Sequence, residues 1–425
     1  MIAALFEFLS LVLLSLLLYY SRKRLSSPRI DKWFLPGLGL HLISGLALGL
    51  VYTWYYPSGD TWRFHQEAQV LYQIALYSPL EYAELLFTDK IPLIFEEFLQ
   101  FPHEPRSFLF AKVLSLLHLL TYQNYWLSGL FLSSFSFLGL WYLCKVLVEA
   151  FPSNTWAAPL ACLLIPSTVF WSSGVLKDSL ALGAIAALIG LSIRLYFLPK
   201  LQWRHLVVYC VLAVCVWKLK YYVLATLLPL STGLLVIRYL HLRWALSFTK
   251  ALLISAAVVL VAVVGISFSH YNLHYQHILE VMVLNYEDGI AQSAEEHAVI
   301  FADLEPSLTS FLSYLPQALM ATLYRPFLGE ISGVLPLIIS AENLLVALLS
   351  LGAVLGFVSR KTSIKQPVLL FFALMWIISL AFLLPFAAPN WGTLSRYRIV
   401  FYPIWVYLLL LGNAWWLDRF AQSKT

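Results

Sequence analysis

Asp60 is the first residue of this chain whose type and setting could do chemistry. It stands in Tyr55–Gln69 (Tyr-Tyr-Pro-Ser-Gly-Asp-Thr-Trp-Arg-Phe-His-Gln-Glu-Ala-Gln), directly after a long apolar segment. Pro57, Ser58 and Gly59 break the preceding helix, and Arg63, His65 and Glu67 follow close behind. A carboxylate fixed where a membrane span ends is placed to take a proton or to hold a metal beside a lipid head group.

Four later clusters could share that chemistry. In Ile165–Leu180 a span ends at Phe170–Trp171, and Lys177 and Asp178 open the next one. Two roles are open to Asp178: it caps the helix start, where free N–H groups and the dipole favour an anion, or it shares a cavity with Asp60, with Lys177 neutralising a phosphate. Asn390–Pro403 carries Arg396 and Arg398 into the last span. They either snorkel to head groups or use the planar fork of arginine to grip a phosphate. Arg325, in Tyr314–Glu330, either satisfies a helix end or Glu330, or contacts substrate. Glu342 lies inside an expected span, where a carboxylate is a functional candidate unless it only bonds a neighbouring helix. Lys218 and Lys220 either line the cavity or snorkel, and read better as snorkelling; His270, His274 and His277 have helical spacing for a metal but no acidic partner, and read better as solvated interface histidines. No Gly-rich nucleotide loop or nucleophile elbow is present, and nothing points to nucleic acid. The four cysteines have no metal or redox spacing.

The elements that must position these groups are membrane helices. The chain is 61% hydrophobic and 12% charged, about half the charge of a soluble domain. Apolar runs of about 20 residues recur, each able to cross a hydrocarbon layer of about 30 Å. The expected fold is all-α and polytopic, with about eleven spans: Ile2–Tyr20, Trp33–Tyr56, Asn124–Val148, Trp156–Trp171, Ser179–Leu198, His205–Trp217, Tyr221–Leu240, Ser247–Phe268, Gly333–Val358, Pro367–Ala387 and Arg398–Leu417. Residues 1–32 form an extra span and loop, 33–198 a module with an external loop at 57–122, and 199–425 the remaining spans with an external loop at 269–332. Within 57–122 the helical pieces are amphipathic or short, as expected of helices lying in the interface. Arg22, Lys23 and Arg24 follow the first apolar run, which places the N-terminus outside by the positive-inside rule. The C-terminus is then cytoplasmic, and Asp60 and Asp178 face outward. If Ser107–Leu120 also crossed, everything after it would flip and most of the 27 cations would lie outside, so it is not counted as a span.

This pattern resembles the GT-C superfamily of multi-spanning glycosyltransferases, near the protein-mannosyltransferase-like (family 39) branch. There a span ends at an external carboxylate, a long first external loop with interfacial helices follows, and a second acid recurs two spans later; Asp60 and Asp178 match those positions. Ile165–Leu180 also resembles the Pro-Ser-x-x-x-Trp-x-Ser-Gly-x-x-Lys-Asp pattern of bacterial membrane proteins linked to surface-glycan synthesis. The resemblance implies a bacterial inner-membrane enzyme that moves a sugar from a polyprenyl-phosphate donor to a glycan, lipid or protein acceptor. Asp60 would be the general base and Asp178 would orient the acceptor. Lys177, Arg396 and Arg398 would steady the leaving phosphate, with Arg325, Glu342 and His65 as further substrate contacts. Asp60 is not followed by a second acid, as it is in the Asp-Glu and Asp-x-Asp versions, so a divalent metal cofactor is left open without that motif behind it. Rival expectations are a surface-polysaccharide polymerase or ligase, a lipid or solute transporter, and a non-catalytic assembly subunit.

Overall fold

A computed structural model describes residues 1–56, 59–198, 202–244, 246–294, 297–331, 333–359 and 366–414. Among them every regular element is a helix, and the only strand-like pairing is an isolated bridge between Ala298 and Asn390. The protein is all-α and multi-pass. Eight described helices are long and apolar enough to cross a bilayer, or nine if one bent pair counts as a single span. That is fewer than the eleven expected, for two reasons. Trp156–Trp171 is not one helix but two short ones, and the two spans expected over His205–Leu240 count as one long element, although its helix breaks between them at Lys220, where the sequence separates them. Pro57 and Ser58, the expected breakers before Asp60, lie outside the described residues, as do the cations Lys200, Arg360, Lys361, Lys365, Arg419 and Lys424.

The chain folds into two compact units. The first comprises Met1–Glu149, Val169–Leu191 and Trp203–Tyr221. Its helices begin with α1 (Ile2–Arg24) and α2 (Phe34–Trp54). The basic last turn of α1, Arg22 to Arg24, suits the negative end of the helix dipole. Then come α3 (Asp60–Tyr77), α4 (Pro79–Thr88), α5 (Leu93–Glu96) and α6 (Pro105–Thr121). Pro79 and Pro105 sit at helix starts, where a missing N–H costs nothing. Helices α3 and α6 pack on each other. Phe64, Ala68, Leu71 and Ala75, spaced three and four apart, bury one face of α3, and Phe108, Ala111, Leu114 and Ser115 bury the facing side of α6. Residues 59–122 therefore form a packed helical layer with one core cluster of its own and a second shared with Tyr125, Leu132 and Val175.

Two spans and the helical stretch Trp203–Tyr221 complete this unit: the spans are α7 (Tyr125–Ala150) and the first part of α10 (Lys177–Phe197), which follows α8 (Ala157–Leu163) and α9 (Pro166–Trp171) in the chain. Gly139 of α7 lies against the backbone of Gly183 in α10, so that any side chain there would collide. This is the small-residue contact by which membrane helices approach closely. Gly174, in the turn before α10, has φ +73°, and a Cβ on it would stand 3.0 Å from the Gly45 carbonyl of α2.

The second unit comprises Ala150–Thr168, Ser192–Gln202 and Tyr222–Thr425. The 42-residue α11 (Trp203–Trp244) enters it after a single non-helical residue, Lys220. Then follow α12 (Phe248–Ser267), α13 (Ile278–Ala291), α14 (Leu308–Ser313), α15 (Leu315–Tyr324), α16 (Val334–Val358), α17 (Pro367–Ala387), α18 (Trp391–Tyr397) and α19 (Tyr402–Gly412). The segments Trp391–Val400 and Tyr402–Gly412 meet at 73°. Asn390 caps α18 by accepting from the amides of Gly392 and Thr393. Asn413 just beyond α19 donates to the Leu349 carbonyl of α16, where Gly352 leaves room for it.

Candidate functional site

Asp60 is the first residue of α3 and partly exposed. Gly59 precedes it because the Tyr52 ring occupies the space a side chain would need. At the first turn the carboxylate meets the positive end of the helix dipole. Leu176, immediately before Lys177 and Asp178, clusters with Leu48, Tyr52 and Trp62. The residues flanking Asp60 and those flanking Asp178 thus share one patch of the first unit.

Lys177 is partly buried. Its ammonium donates to Ser107 Oγ at 3.0 Å and lies 5.1 Å from the ring of Phe64. Phe64 is four residues after Asp60, so it shares a face of α3 with it, and Lys177 reaches α3 about one turn along from the acid. Asp178 is 2% exposed, with the Lys220 ammonium 2.7 Å from its carboxylate. Lys220 is 6% exposed. The next residue, Tyr221, carries the exposed Arg106 guanidinium over its ring at 5.4 Å. The arrangement offers two carboxylates in one unit, one at a surface and one buried, with three cations on their borders.

Of these cations, Arg106 is no candidate in the sequence and Lys220 reads better as snorkelling. Lys220 does not snorkel; it turns inward onto Asp178. Arg106 follows Pro105 in a stretch that reads only as a helix start. Nothing local announces either contact, because both partners are far away in the chain.

His65 does not face the same surface. It is buried between α3 and α6, with Nδ1 3.2 Å from His118 Nε2 and its ring edge-on to Tyr125. Burial lowers His65 to about 4, and burial with the neighbouring His65 lowers His118 to about 3. Both are therefore neutral near pH 7. Glu67, also fully buried, accepts from the amides of Gln100 and Phe101 and so ties the α5–α6 connection to α3. Burial raises its pKa, against those two hydrogen bonds.

Arg325, Glu342, Arg396 and Arg398 all belong to the second unit. Arg325 pairs with Glu330 at 2.7 Å and lies 4.4 Å from the ring of Trp391, the plainer of its two expected roles. Arg396 is half-buried in α18. Arg398 is fully enclosed. It donates to Asn343 Oδ1 at 2.6 Å and to the carbonyls of Thr322 and Arg325, and stands 3.9 Å from Glu342. Glu342 in turn accepts from the Ser167 amide and hydroxyl at 2.8 and 2.5 Å. Arg398 and Glu342 are thus engaged inside the unit rather than presented at a surface.

An open cleft of about 320 Å³ on the edge of α3 to α5 holds Glu81, Glu84 and Lys90, with Lys90 already paired to Glu84; none of the candidate residues lines it. Among the described residues no three His, Cys, Asp or Glu side chains gather to hold a metal ion. Comparison with protein-family models, curated proteins and solved structures found no match for this chain.

Proposed function

We propose that the protein is a membrane glycosyltransferase that moves a sugar from a polyprenyl-phosphate donor to an acceptor hydroxyl at the external face of the membrane. The observation that carries the reading is the pairing in one compact unit of a partly exposed carboxylate, Asp60, with a buried, lysine-paired one, Asp178. In this reaction the acceptor oxygen bonds to the anomeric carbon, the bond from that carbon to the donor phosphate oxygen breaks, and configuration inverts. Asp60 takes the acceptor proton. Asp178 orients the acceptor. Lys177 and Arg106 face the negative charge that grows on the leaving lipid phosphate. Arg398 is left out of that step, because it is fully enclosed in the second unit, with its terminal nitrogens bonded to Asn343 and to the carbonyls of Thr322 and Arg325.

The test is purified protein in lipid nanodiscs with a polyprenyl-phosphate sugar, read as released polyprenyl phosphate. Asp60→Asn is expected to slow release by about 10²–10⁴-fold. No release by the wild type, or full release by Asp60→Asn, overturns the proposal.

One observation favours a second reading. Glu342 and Arg398 lie in or beside the short α9, α16 and the bent α18–α19 pair, and carriers build their sites at interrupted membrane helices. Counterflow of a labelled solute in proteoliposomes, abolished by Glu342→Gln, would support a transporter instead.

A further inference from the structure

We infer that Lys220 is a positioning residue for Asp178, holding its carboxylate charged and fixed in direction inside the first unit. The use made of Asp178 rests on the transferase reading; the role of Lys220 toward Asp178 does not.

The helix break is the first ground. Within α11 Lys220 is the one non-helical residue, at φ −142° and ψ 68°. Breaks in long helices have causes: proline, glycine, a bulge, or a side chain inserted into the ladder. Val216-Trp217-Lys218-Leu219-Lys220-Tyr221-Tyr222 contains no proline or glycine, and Pro229 comes nine residues later. The two lysines between apolar runs mark a change of span here, but no residue of the stretch forces the backbone to break. The break does coincide with the residue whose ammonium reaches Asp178 at 2.7 Å. Lys218, two residues earlier on the unbroken helix, stays exposed.

The second ground is what the pair does not do. A carboxylate that only caps a helix start needs N–H donors and water, not an ammonium. Asp178 is nearly sealed from solvent, and so is Lys220. Buried ion pairs are weak sources of stability, and apolar residues of similar volume often hold two helices better. An interrupted backbone in a membrane helix adds a further penalty unless its polar groups find partners. Two costly features meet at one residue, and both are accounted for if the charge of Asp178 is used.

The third ground is direction. Lys177, adjacent to Asp178, is turned to Ser107 and Phe64. Lys220 approaches from another helix, and the same break sets Tyr221 under Arg106. One backbone feature therefore orders the buried carboxylate and an exposed cation of the site together.

The experiment compares wild type, Lys220→Arg, Lys220→Met and the double variant Lys220→Met/Asp178→Asn, all purified in nanodiscs. Infrared difference spectra are expected to show a protonated carboxylic acid in Lys220→Met that is absent from wild type and Lys220→Arg and vanishes in the double variant. Thermal unfolding should rank Lys220→Met below the double variant, since only the former leaves a carboxyl without its counter-charge. In the transfer assay Lys220→Met should lower kcat about tenfold or more with donor KM unchanged, and Lys220→Arg should restore most of it. A missing carboxylic-acid signal in Lys220→Met overturns the inference. So does a raised donor KM with kcat kept, which would make Lys220 a donor contact. If the wild type transfers nothing, the transferase reading falls, and the spectra and unfolding still decide the role of Lys220.

Discussion

His65 and His118 meet nitrogen to nitrogen at 3.2 Å in a buried setting, and both hold their protons more weakly than the ordinary value of 6.5. Above pH 6.5 neither the folded nor the unfolded chain binds these protons, so stability does not respond. Below it the unfolded chain takes them up and the folded one does not. Stability then falls by about 1.4 kcal/mol per pH unit for each imidazole, down to about pH 4 for His65 and about pH 3 for His118. We expect the unfolding midpoint of purified protein to drop between pH 7 and pH 5, and His65→Gln/His118→Gln to flatten that slope. An unchanged slope in the double variant would show that other groups carry it. Arg398 poses the opposite case. Arg398→Met strands Glu342 among buried groups and should cost about 3–5 kcal/mol; Arg398→Met/Glu342→Gln should recover part of it in the same measurement.

At the scale of elements, the α3–α6 layer is tied by one carboxylate. Glu67 holds the amides of Gln100 and Phe101, while Arg63 lies over the Phe101 ring at 4.8 Å. Glu67→Ala removes both acceptors and should cost about 1–3 kcal/mol. Hydrogen exchange at Gln100 and Phe101 should accelerate while α16 in the other unit is unaffected. Equal exchange in both proteins would show that the connection is held by its apolar contacts instead. The α7–α10 contact is just as local. Gly139→Leu forces the α7 and α10 backbones apart where Gly139 meets Gly183. Overpacking of this kind costs about 1–3 kcal/mol, and it should appear as a lowered unfolding midpoint.

For the whole molecule, the proposed orientation is testable without any substrate. Cys210 is exposed and would be replaced by serine to remove background. A cysteine at Arg63 should then react with an impermeant maleimide in intact cells, and one at Lys23 only after permeabilisation. The reverse pattern would place Asp60 on the cytosolic side, where a lipid-linked donor facing outward is out of reach.

Several features follow from the sequence alone because they depend on local composition. Long apolar runs with few charges have one stable home, so the all-α membrane class is legible from hydropathy. The start of α3 at Asp60 and of α10 at Lys177–Asp178 is legible from breakers and capping residues. The division of Trp156–Trp171 into two helices is not, since apolar length does not say where a helix bends, whereas the break at Lys220 does fall between the apolar runs that end at Trp217 and begin at Tyr221. Nor could the chain show that His65 turns to His118, that Lys220 turns to Asp178, or that Arg398 turns to Asn343 and Glu342. A lysine or arginine near a span end looks the same whether it snorkels or pairs. Only the packing of distant helices decides, because a buried charge takes whichever counter-charge the fold brings within reach.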